Sequence, residues 1–291
     1  MRTLVVFTDF TLKAENTVFY ALALASLLRS DIMLCHVLET TGQFKYTEND
    51  ERERNDAIDD MVELMQRSRR RVMQFERDQY RPMVECSVKS GTLSTALDQI
   101  ANIRNVVMAV MSTRCTDKLT ALLLGSSTNG LINHARYPVL LVPYEARFTG
   151  FKNLVFATDL NSENLPALDS LCDMATYANS EIIIAHVRNK GLIDHKSNTN
   201  LQRFFNNIGK QIAYPQKRYK VIKDVNILRG IKKIPQKLNI DVLAIVHQKR
   251  NYLQRLFNHS ISLAVANYSV KPVIIFPPGH MHKQLLSLNP H

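Results

Sequence analysis

Short runs of apolar residues alternate with longer amphipathic stretches along most of the chain. In the first half, the apolar runs occupy residues 3–8, 31–37, 83–91, 106–111 and 138–142. Most of these runs are apolar at nearly every position, which is typical of strands that are covered on both faces of a parallel sheet. The pattern therefore predicts an α/β domain in which strands alternate with helices.

The stretches between the strands have helical periodicity. Thr11 is placed as the N-cap of the first helix, in which Val18, Ala21, Leu22 and Ala25 fall on one face. A long charged helix is predicted over residues 50–79, and its Glu63 and Arg67 are spaced to form an i, i+4 ion pair. Two more helices are predicted, one before the fourth strand and one after Gly125.

The chain contains an internal repeat. The segment LVVFTDFT at 4–11 returns as NLVFATDLN at 153–161, and YPVLLVP at 137–143 returns as KPVIIFP at 271–277. The offset is 150 residues at the start of the repeat and 134 at its end, so the second copy is shorter in its middle. A repeat of this length indicates a duplicated domain.

This repeat divides the chain into a domain at 1–146, a second domain at 147–279 and a polar tail at 280–291. The helical pattern near 226–238 of the second copy contains Pro235, which predicts an early stop or a kink. The fold class that follows is α/β, with two tandem five-stranded parallel sheets of the doubly wound, Rossmann-like type.

Composition narrows the class of protein. The 291 residues are 45% hydrophobic and 22% charged, which is a normal globular balance. No apolar run approaches the roughly 18 to 20 residues of a membrane span, and the N-terminal segment lacks the apolar core of a secretory signal. We therefore expect a cytoplasmic protein that is not embedded in a membrane.

The charge is unevenly distributed. Residues 1–146 carry 17 Lys and Arg against 18 Asp and Glu, whereas residues 147–291 carry 20 against 8. Such asymmetry is compatible with a solvated basic surface or with an anionic partner. Nucleic acid is disfavoured as that partner, because alternation in RYKVIKD, at 218–224, is expected to place the charges of a strand on one side.

Motifs of common enzyme and metal sites are absent from the sequence. There is no GxxxxGK[ST], GxGxxG, GxSxG or HExxH, and the four cysteines form no CxxC pair. Cys35, Cys86 and Cys172 are interpreted as buried thiols, and His36 and His186, which recur at strand ends, as structural hydrogen-bonding groups. We therefore expect no metal and no catalytic residues, and favour a protein that is not an enzyme.

One segment suggests a ligand site. Residues 111–127, MSTRCTDKLTALLLGSS, place Gly125 and Ser126 ahead of a helical stretch, as in a loop that holds phosphate. The N-terminus of a helix offers unsatisfied N–H groups and a positive dipole end to an anion.

The order of these elements resembles the universal stress protein family over essentially the whole chain. The resemblance is carried by the strand ending in Thr-Asp, the His-Val at the end of the second strand, the Gly-Ser before the fourth helix and the closing YPVLLVP strand. It implies that the two halves dock through their fifth strands as an intramolecular pseudo-dimer. Whether two chains also form a homodimer is left open.

The resemblance also implies a binding site for an adenine nucleotide such as ATP in the first domain. The glycine loop of the nucleotide-binding members would fall on Ser112, Cys115, Gly125 and Ser126, so its spacing is intact but two of its three glycines are replaced. The remaining positions carried over or adjacent to this loop are Thr8, Asp9, Val37, Met111, Arg114, Ser127 and Thr128.

The second copy lacks the glycine loop. An ungapped alignment sets His247 against Ser112, and a one-residue shift would set His259 and Ser260 against Gly125 and Ser126. Of the residues at the adenine and ribose end of the pocket, only Asp159 is assigned as retained in the second copy. The segment that aligns with the glycine loop contains the basic residues Lys249, Arg250 and Arg255.

Two hypotheses follow. The first is a regulatory protein of the stress response that senses an adenine nucleotide through its first domain. The second is a nucleotide-independent interaction protein, whose basic second domain binds an acidic partner.

Overall fold

A computed structural model describes residues 1–38, 48–72, 80–113, 126–189, 195–247, 265 and 269–280. The chain divides into two compact units, Met1–Phe148 and Thr149–His291. Each unit alternates strands with helices, as predicted.

Unit 1 is a five-stranded parallel sheet with the order β3-β2-β1-β4-β5. Its elements are β1 (Arg2–Phe7), α1 (Leu12–Leu27), β2 (Asp31–Leu38), α2 (Glu48–Val72), β3 (Val84–Ser90), α3 (Leu93–Ala101), β4 (Asn105–Thr113), α4 (Ser126–His134) and β5 (Val139–Pro143). The predicted strands and their parallel arrangement are confirmed. The long charged helix ends at Val72 in the described residues, and the predicted continuation over 73–79 lies outside them.

Unit 2 has the same sheet order, β8-β7-β6-β9-β10. Its elements are β6 (Asn153–Thr158), a 3-10 turn (Ser162–Asn164), α5 (Leu165–Ala178), β7 (Glu181–Asn189), α6 (His195–Gln211), β8 (Lys217–Asp224), α7 (Ile227–Lys232), α8 (Ile234–Lys237), β9 (Val242–Val246) and β10 (Val273–Phe276). The duplicated α/β architecture predicted from the repeat is therefore confirmed.

The central strands of both units are buried because their side chains are apolar on both faces. Leu4, Val5 and Val6 of β1 are fully buried, as is Leu154 of β6. The predicted face of α1 is also confirmed, since Val18, Ala21, Leu22 and Ala25 are all buried. Burial of apolar surface at this scale is the main source of stability for each sheet.

Pro235 interrupts the helical segment that precedes β9, as predicted. Helix α7 ends at Lys232, and the short α8 begins at Ile234 with the proline in its first turn. A proline is tolerated there because the first N–H groups of a helix have no partner within the helix. The prediction of an early stop is confirmed.

Helix α7 packs tightly on the sheet through Gly230. A Cβ atom at this position would overlap Cγ1 of Val187 on β7 and would lie 3.3 Å from Cβ of Asp224 on β8. The absence of a side chain therefore allows α7 to approach both strands closely.

Asp224, at the end of β8, holds the following turn. Its side chain is buried and accepts hydrogen bonds from Arg229 Nε at 2.7 Å, Lys233 Nζ at 2.8 Å and the backbone N–H of Asn226 at 3.2 Å. The hydrogen bond from Lys233, together with those from Arg229 and Asn226, lowers the pKa of the Asp224 carboxyl well below its usual range. The carboxylate form therefore stabilises the β8–α7 turn.

The two sides of the unit boundary are anchored by neighbouring residues. Phe148 packs edge-on against Tyr20 of α1, with ring centroids 5.0 Å apart. The next residue, Thr149, donates its hydroxyl to Asp241 at 3.1 Å, and the same carboxylate accepts the N–H groups of Lys152 at 2.8 Å and Asn153 at 2.9 Å. Asp241 thus fixes the entry into β6.

Candidate functional site

The chain direction across each sheet reverses at one place. In unit 1 the chain moves outward from β1 through β2 to β3, then returns to the other side of β1 with β4 and β5. Open parallel sheets bind ligands outside the carboxyl ends of the strands at such a switch point. The corresponding point in unit 2 lies between β6 and β9.

The predicted site residues that the structure describes gather at this edge of unit 1. Thr8 and Asp9 follow β1 directly, Val37 lies near the end of β2, and Met111 and Ser112 lie near the end of β4. Arg114, Cys115 and Gly125 fall outside the described residues. Ser126 is the first residue of α4, followed by Ser127 and Thr128.

Thr8 and Asp9 form a compact turn between β1 and α1. Thr8 is buried, and its hydroxyl oxygen accepts the N–H of Phe10 at 3.2 Å. Asp9 is exposed, and its Oδ1 accepts the Thr11 hydroxyl at 2.6 Å and the Thr11 N–H at 3.3 Å. Thr11 in turn caps α1, as predicted, by accepting the N–H of Ala14 at 3.3 Å. Asp9 therefore supports the N-cap residue rather than capping the helix itself.

Phe10 is a feature of this turn that the sequence analysis missed. Its φ is +59°, in the left-handed region that a residue with a branched or bulky side chain rarely adopts. The Phe10 ring contacts the His36 ring, with centroids 4.5 Å apart, and His36 Nδ1 lies 2.9 Å from the carbonyl oxygen of Thr8. The structural role predicted for His36 is confirmed, and an aromatic pair stands at the carboxyl ends of β1 and β2.

The end of β4 forms the other side of the switch point. Met111 is buried against the core, Ser112 is half-buried, and Thr113 is buried with 3% of its surface exposed. Ser112 and Thr113 pair with Val142 and Pro143 of β5, which holds the strand in place to its last residue. Ser112 is thus the more accessible of the two hydroxyl-bearing residues here.

Helix α4 begins at the end of the segment that is predicted to bind phosphate. Its nine residues start at Ser126, Ser127 is exposed, and Thr128 is buried. The first N–H groups of a helix have no partner within it, and the helix dipole places partial positive charge at this end. The segment can therefore present donors to an anion.

Unit 2 repeats the β–α turn closely. Thr158 Oγ1 accepts the N–H of Leu160 at 3.0 Å, Leu160 has a φ of +69°, and His186 Nδ1 lies 2.9 Å from the Thr158 carbonyl oxygen. Asp159 accepts the N–H of Asn161 at 3.1 Å and the side-chain amide of Asn164 at 3.0 Å. More of the turn is retained than Asp159 alone, because Thr158 and His186 make the same contacts as Thr8 and His36.

The end of β9 differs from the end of β4. The strand register sets Leu4 opposite Met108 and Leu154 opposite Val242, so Val246 corresponds to Ser112 and His247 to Thr113. The ungapped alignment of His247 with Ser112 is therefore off by one residue, and the alternative shift holds for this strand. His247 is buried, with 3% of its surface exposed, and its backbone N–H donates to the carbonyl oxygen of Phe276 at 2.8 Å. An aliphatic side chain thus replaces the accessible hydroxyl of Ser112.

The thiols of the described residues are poor nucleophiles. Burial raises the pKa of both Cys35 and Cys172 to about 12, and it also raises the pKa of Cys86. Since the thiolate is the reactive form, Cys35 and Cys172 act as small buried groups. The prediction that Cys86 is buried is wrong, because this residue on the edge strand β3 is only half-buried. Within the described ranges no cluster of His, Cys, Asp and Glu could hold a metal ion, and no helix there is long and apolar enough to cross a membrane.

Comparison with known proteins identifies the architecture. The family profile described as the universal stress protein family matches residues 1–143 and 150–277. A universal stress protein from Archaeoglobus fulgidus has a similar structure, with a TM-score of 0.72 at 14% identity over 95% of this chain and 98% of that one. A functionally unknown protein from Pseudomonas aeruginosa gives a TM-score of 0.62 at 15% identity over 96% and 92%.

These structural likenesses establish the fold, and no curated protein matches the chain significantly. The two segments matched by the profile cover most of the sequence and coincide with the two copies of the repeat. Tandem sheets of the same strand order, a Thr-Asp turn after the first strand of each unit and a profile match in both halves all agree. The chain belongs to the universal stress protein family.

Proposed function

We propose that unit 1 binds an adenine nucleotide such as ATP at the switch point between β1 and β4. In this proposal the protein is a regulatory member of the stress response, not an enzyme. The observation that carries the proposal is that Thr8 and Asp9 follow β1 at the edge where the half-buried Ser112 lies near the end of the neighbouring strand β4. Nucleotide binding to this crevice would bias a conformation or a partner interface.

Each residue has a role in this arrangement. Val37 would border the base, and the exposed Asp9 carboxylate would face the adenine and ribose end of the pocket. The N–H groups at the start of α4, with Ser126, Ser127 and Thr128, would face the phosphates. Met111 flanks the loop, and Arg114 would add a positive charge.

Ser112 and Cys115 set the strength of binding. Glycine in such a loop admits positive φ and lets N–H groups approach phosphate closely. A non-glycine residue forced into that backbone costs about 1 to 3 kcal/mol, which would weaken the affinity by about tenfold to a hundredfold. Binding in the micromolar to millimolar range is therefore expected, with Gly125 and Ser126 retaining the essential end of the loop.

Isothermal titration of the nucleotide-free protein with Mg-ATP tests this proposal. One saturable site per chain is expected. Asp9→Asn should weaken binding by about tenfold, whereas Asp159→Asn, in the equivalent turn of unit 2, should leave it unchanged. Glycine at both altered positions, Ser112→Gly with Cys115→Gly, should strengthen it. Absence of heat up to about 10 mM ATP, from protein shown to be folded, would reject nucleotide sensing.

A second candidate function rests on the charge difference between the two halves of the sequence. The basic second domain would bind an acidic partner without nucleotide. Reversing the charges of Lys249, Arg250 and Arg255 should reduce salt-sensitive capture of that partner if this segment is the contact. Unchanged capture would exclude the segment.

The remaining expectations concern assembly and compartment. Docking of the two domains through their fifth strands would make the single chain a pseudo-dimer, and the cytoplasm is the compartment that we expect. Sedimentation equilibrium of the full chain, with and without ATP, separates a monomeric pseudo-dimer from a homodimer. The two give molecular masses that differ by a factor of two.

A further inference from the structure

Strand β8 lies at the edge of the unit 2 sheet and is bonded on one side to β7. The N–H of Ile182 on β7 donates to the carbonyl oxygen of Gln216 at 2.9 Å. This hydrogen bond determines which residues of β8 direct their main-chain N–H and C=O groups towards β7. Arg218, Lys220 and Ile222 therefore direct their main-chain groups to β7, whereas Tyr219, Val221 and Lys223 direct theirs away from it. Within the part of the chain that the structure describes, no strand pairs with this outer side.

The same edge exposes apolar side chains. Tyr219 and Val221 are 38% and 36% exposed, and Val225 and Ile227, in and after the turn that follows, are 55% and 46% exposed. Of the ten exposed large hydrophobic residues in the described parts of the chain, these four lie within nine consecutive positions. We call residues 217–227 the β8 edge.

The β8 edge is also basic on both faces of the strand. The expectation that alternation puts its charges on one side is wrong, because Lys220 shares a face with the buried Ile222 and Lys223 shares the other face with Tyr219. Both lysines are exposed and make no ion pair within the described residues. By contrast, Arg218 is paired with Glu181 at 2.6 Å.

The edge strand of unit 1 provides the comparison. In β3 only Glu85 is exposed, and it is paired with Arg104 at 2.5 Å. The strand carries one other charge, Lys89, which is half-buried. Equivalent positions in two copies of one fold thus differ, since β3 is largely covered and electrically balanced, whereas β8 is open and positive.

Three simpler explanations fit less well. Lysines on an edge strand discourage aggregation, but that role gives no reason to expose Tyr219, Val221, Val225 and Ile227 beside them. Pairing with a second copy of β8 would bring like charges together. Stacking of nucleic acid bases on Tyr219 is hindered, because its ring packs against Phe205 with centroids 4.3 Å apart.

We propose that the β8 edge binds an extended acidic segment of a partner protein by strand addition. The outward main-chain groups of Tyr219, Val221 and Lys223 would form the ladder with that segment. Its carboxylates would pair with Lys220 and Lys223, and its apolar side chains would cover Tyr219 and Val221. This inference rests on the second candidate function and assigns its acidic partner to the β8 edge instead of the segment with Lys249, Arg250 and Arg255. It does not depend on nucleotide binding by unit 1.

The probe is the fluorescein-labelled peptide Glu-Glu-Val-Glu-Val-Glu-Glu, which as an extended strand places carboxylates on both faces and its two valines on one. Its binding to the full chain is measured by fluorescence anisotropy. Saturable binding is expected, weaker at about 300 mM salt than at about 50 mM. Lys220→Glu with Lys223→Glu should weaken it by about tenfold or more. Lys89→Glu, on the edge strand of unit 1, is the matched control and should have no effect.

Val221→Pro tests the main-chain ladder specifically. Proline is tolerated where the N–H of an edge strand faces away from the sheet, so β7–β8 pairing should survive while strand addition is lost. If this variant does not fold, a peptide with N-methylated valines takes its place and should bind about tenfold more weakly. Binding that is insensitive to both changes would overturn the strand-addition mode.

Two further outcomes would overturn the proposal. One is the absence of saturable peptide binding up to about 1 mM. The other is co-sedimentation of the chain with vesicles containing about 30% phosphatidylserine, lost in the double charge reversal, when the peptide does not bind. That result would assign the edge to a lipid surface. Asp9→Asn should change none of these results, so failure here is distinguishable from failure of nucleotide binding.

Discussion

The β1–α1 turn of unit 1 and the β6–α5 turn of unit 2 share the hydrogen bonds of their Thr and His residues, whereas the strand ends opposite them differ. Thr8 and Thr158 hold the same local geometry, and the residue two positions later has positive φ in both turns. Opposite these turns, Ser112 in β4 is replaced by Val246 in β9. The two units thus share the contacts of the turn and differ at the strand end where nucleotide binding is proposed for unit 1.

The connections that follow the edge strands β3 and β8 also keep one topology while their residues differ. Helix α3 has Ala96 four residues after its N-cap, and α7 has Gly230 at the equivalent place. Unit 1 turns from β3 into its helix through Gly91, at a φ of +112°, whereas unit 2 uses the buried carboxylate of Asp224. The two copies reach one topology with different residues.

The largest effect is expected from Gly230→Ala. A methyl group that unit 1 accommodates at Ala96 would overlap Val187 in unit 2 and force α7 away from the sheet. We expect unit 2 to lose about 1 to 3 kcal/mol of stability, measured by urea unfolding. Gly209→Ala in α6 is the control, because no atom lies within 4 Å of its added Cβ, and it should be neutral or stabilising.

Asp224→Asn should lower the unfolding midpoint of unit 2 at neutral pH. The pKa of this carboxyl is lowered in the folded state, so its contribution is complete above the ordinary pKa of 3.8 and is lost as the pH falls towards the lowered value. The difference between wild type and variant should therefore shrink below about pH 4. Thermal unfolding across this range measures it, and a difference that stays constant would contradict this account.

Phe10→Gly and Leu160→Gly separate backbone strain from side-chain contact. Glycine relieves the positive φ at both positions, by about 1 kcal/mol. Phe10 also contacts the ring of His36, so the loss of this contact should offset or exceed the relief, whereas Leu160→Gly should be stabilising. Chemical unfolding of both variants would show the asymmetry, and equal shifts would mean that the Phe10 contact contributes little.

The smallest effect concerns the strand ends of the two switch points. Ser112→Val removes one hydroxyl at the proposed nucleotide crevice and should weaken ATP binding by about threefold to tenfold. Val246→Ser is the reciprocal change in unit 2 and should create no second site. Calorimetric titration of both variants with ATP distinguishes them. A gain of binding in Val246→Ser would show that the whole crevice is retained in unit 2.

Much of the fold can be predicted from the sequence because its signals are local. The cap at Thr11, the helix stop at Pro235 and the apolar strands each depend on residues close together in the chain. The sequence leaves two alignments open at His247 and does not decide between them, since a strand that is apolar throughout contains no internal marker of register.

The candidate site was predictable only in part. Thr8, Asp9, Val37 and Ser112 lie at one edge of the unit 1 sheet because the carboxyl ends of parallel strands meet there, and their role in binding stays a prediction. The positive φ of Phe10 was not foreseen, because a phenylalanine gives no sequence signal of left-handed backbone. The open β8 edge was also missed, since edge position depends on the order of strands and not on the strand itself.

The anchoring of Phe148 and Thr149 determines where the gene could be divided to produce the halves as two polypeptides. A cut between these residues leaves the Phe148 ring on Tyr20 and the Thr149 hydroxyl on Asp241. A cut after Lys152 would remove two of the three donors to the Asp241 carboxylate. Of these two cuts, the one between Phe148 and Thr149 is the better choice for producing each half as a separate polypeptide.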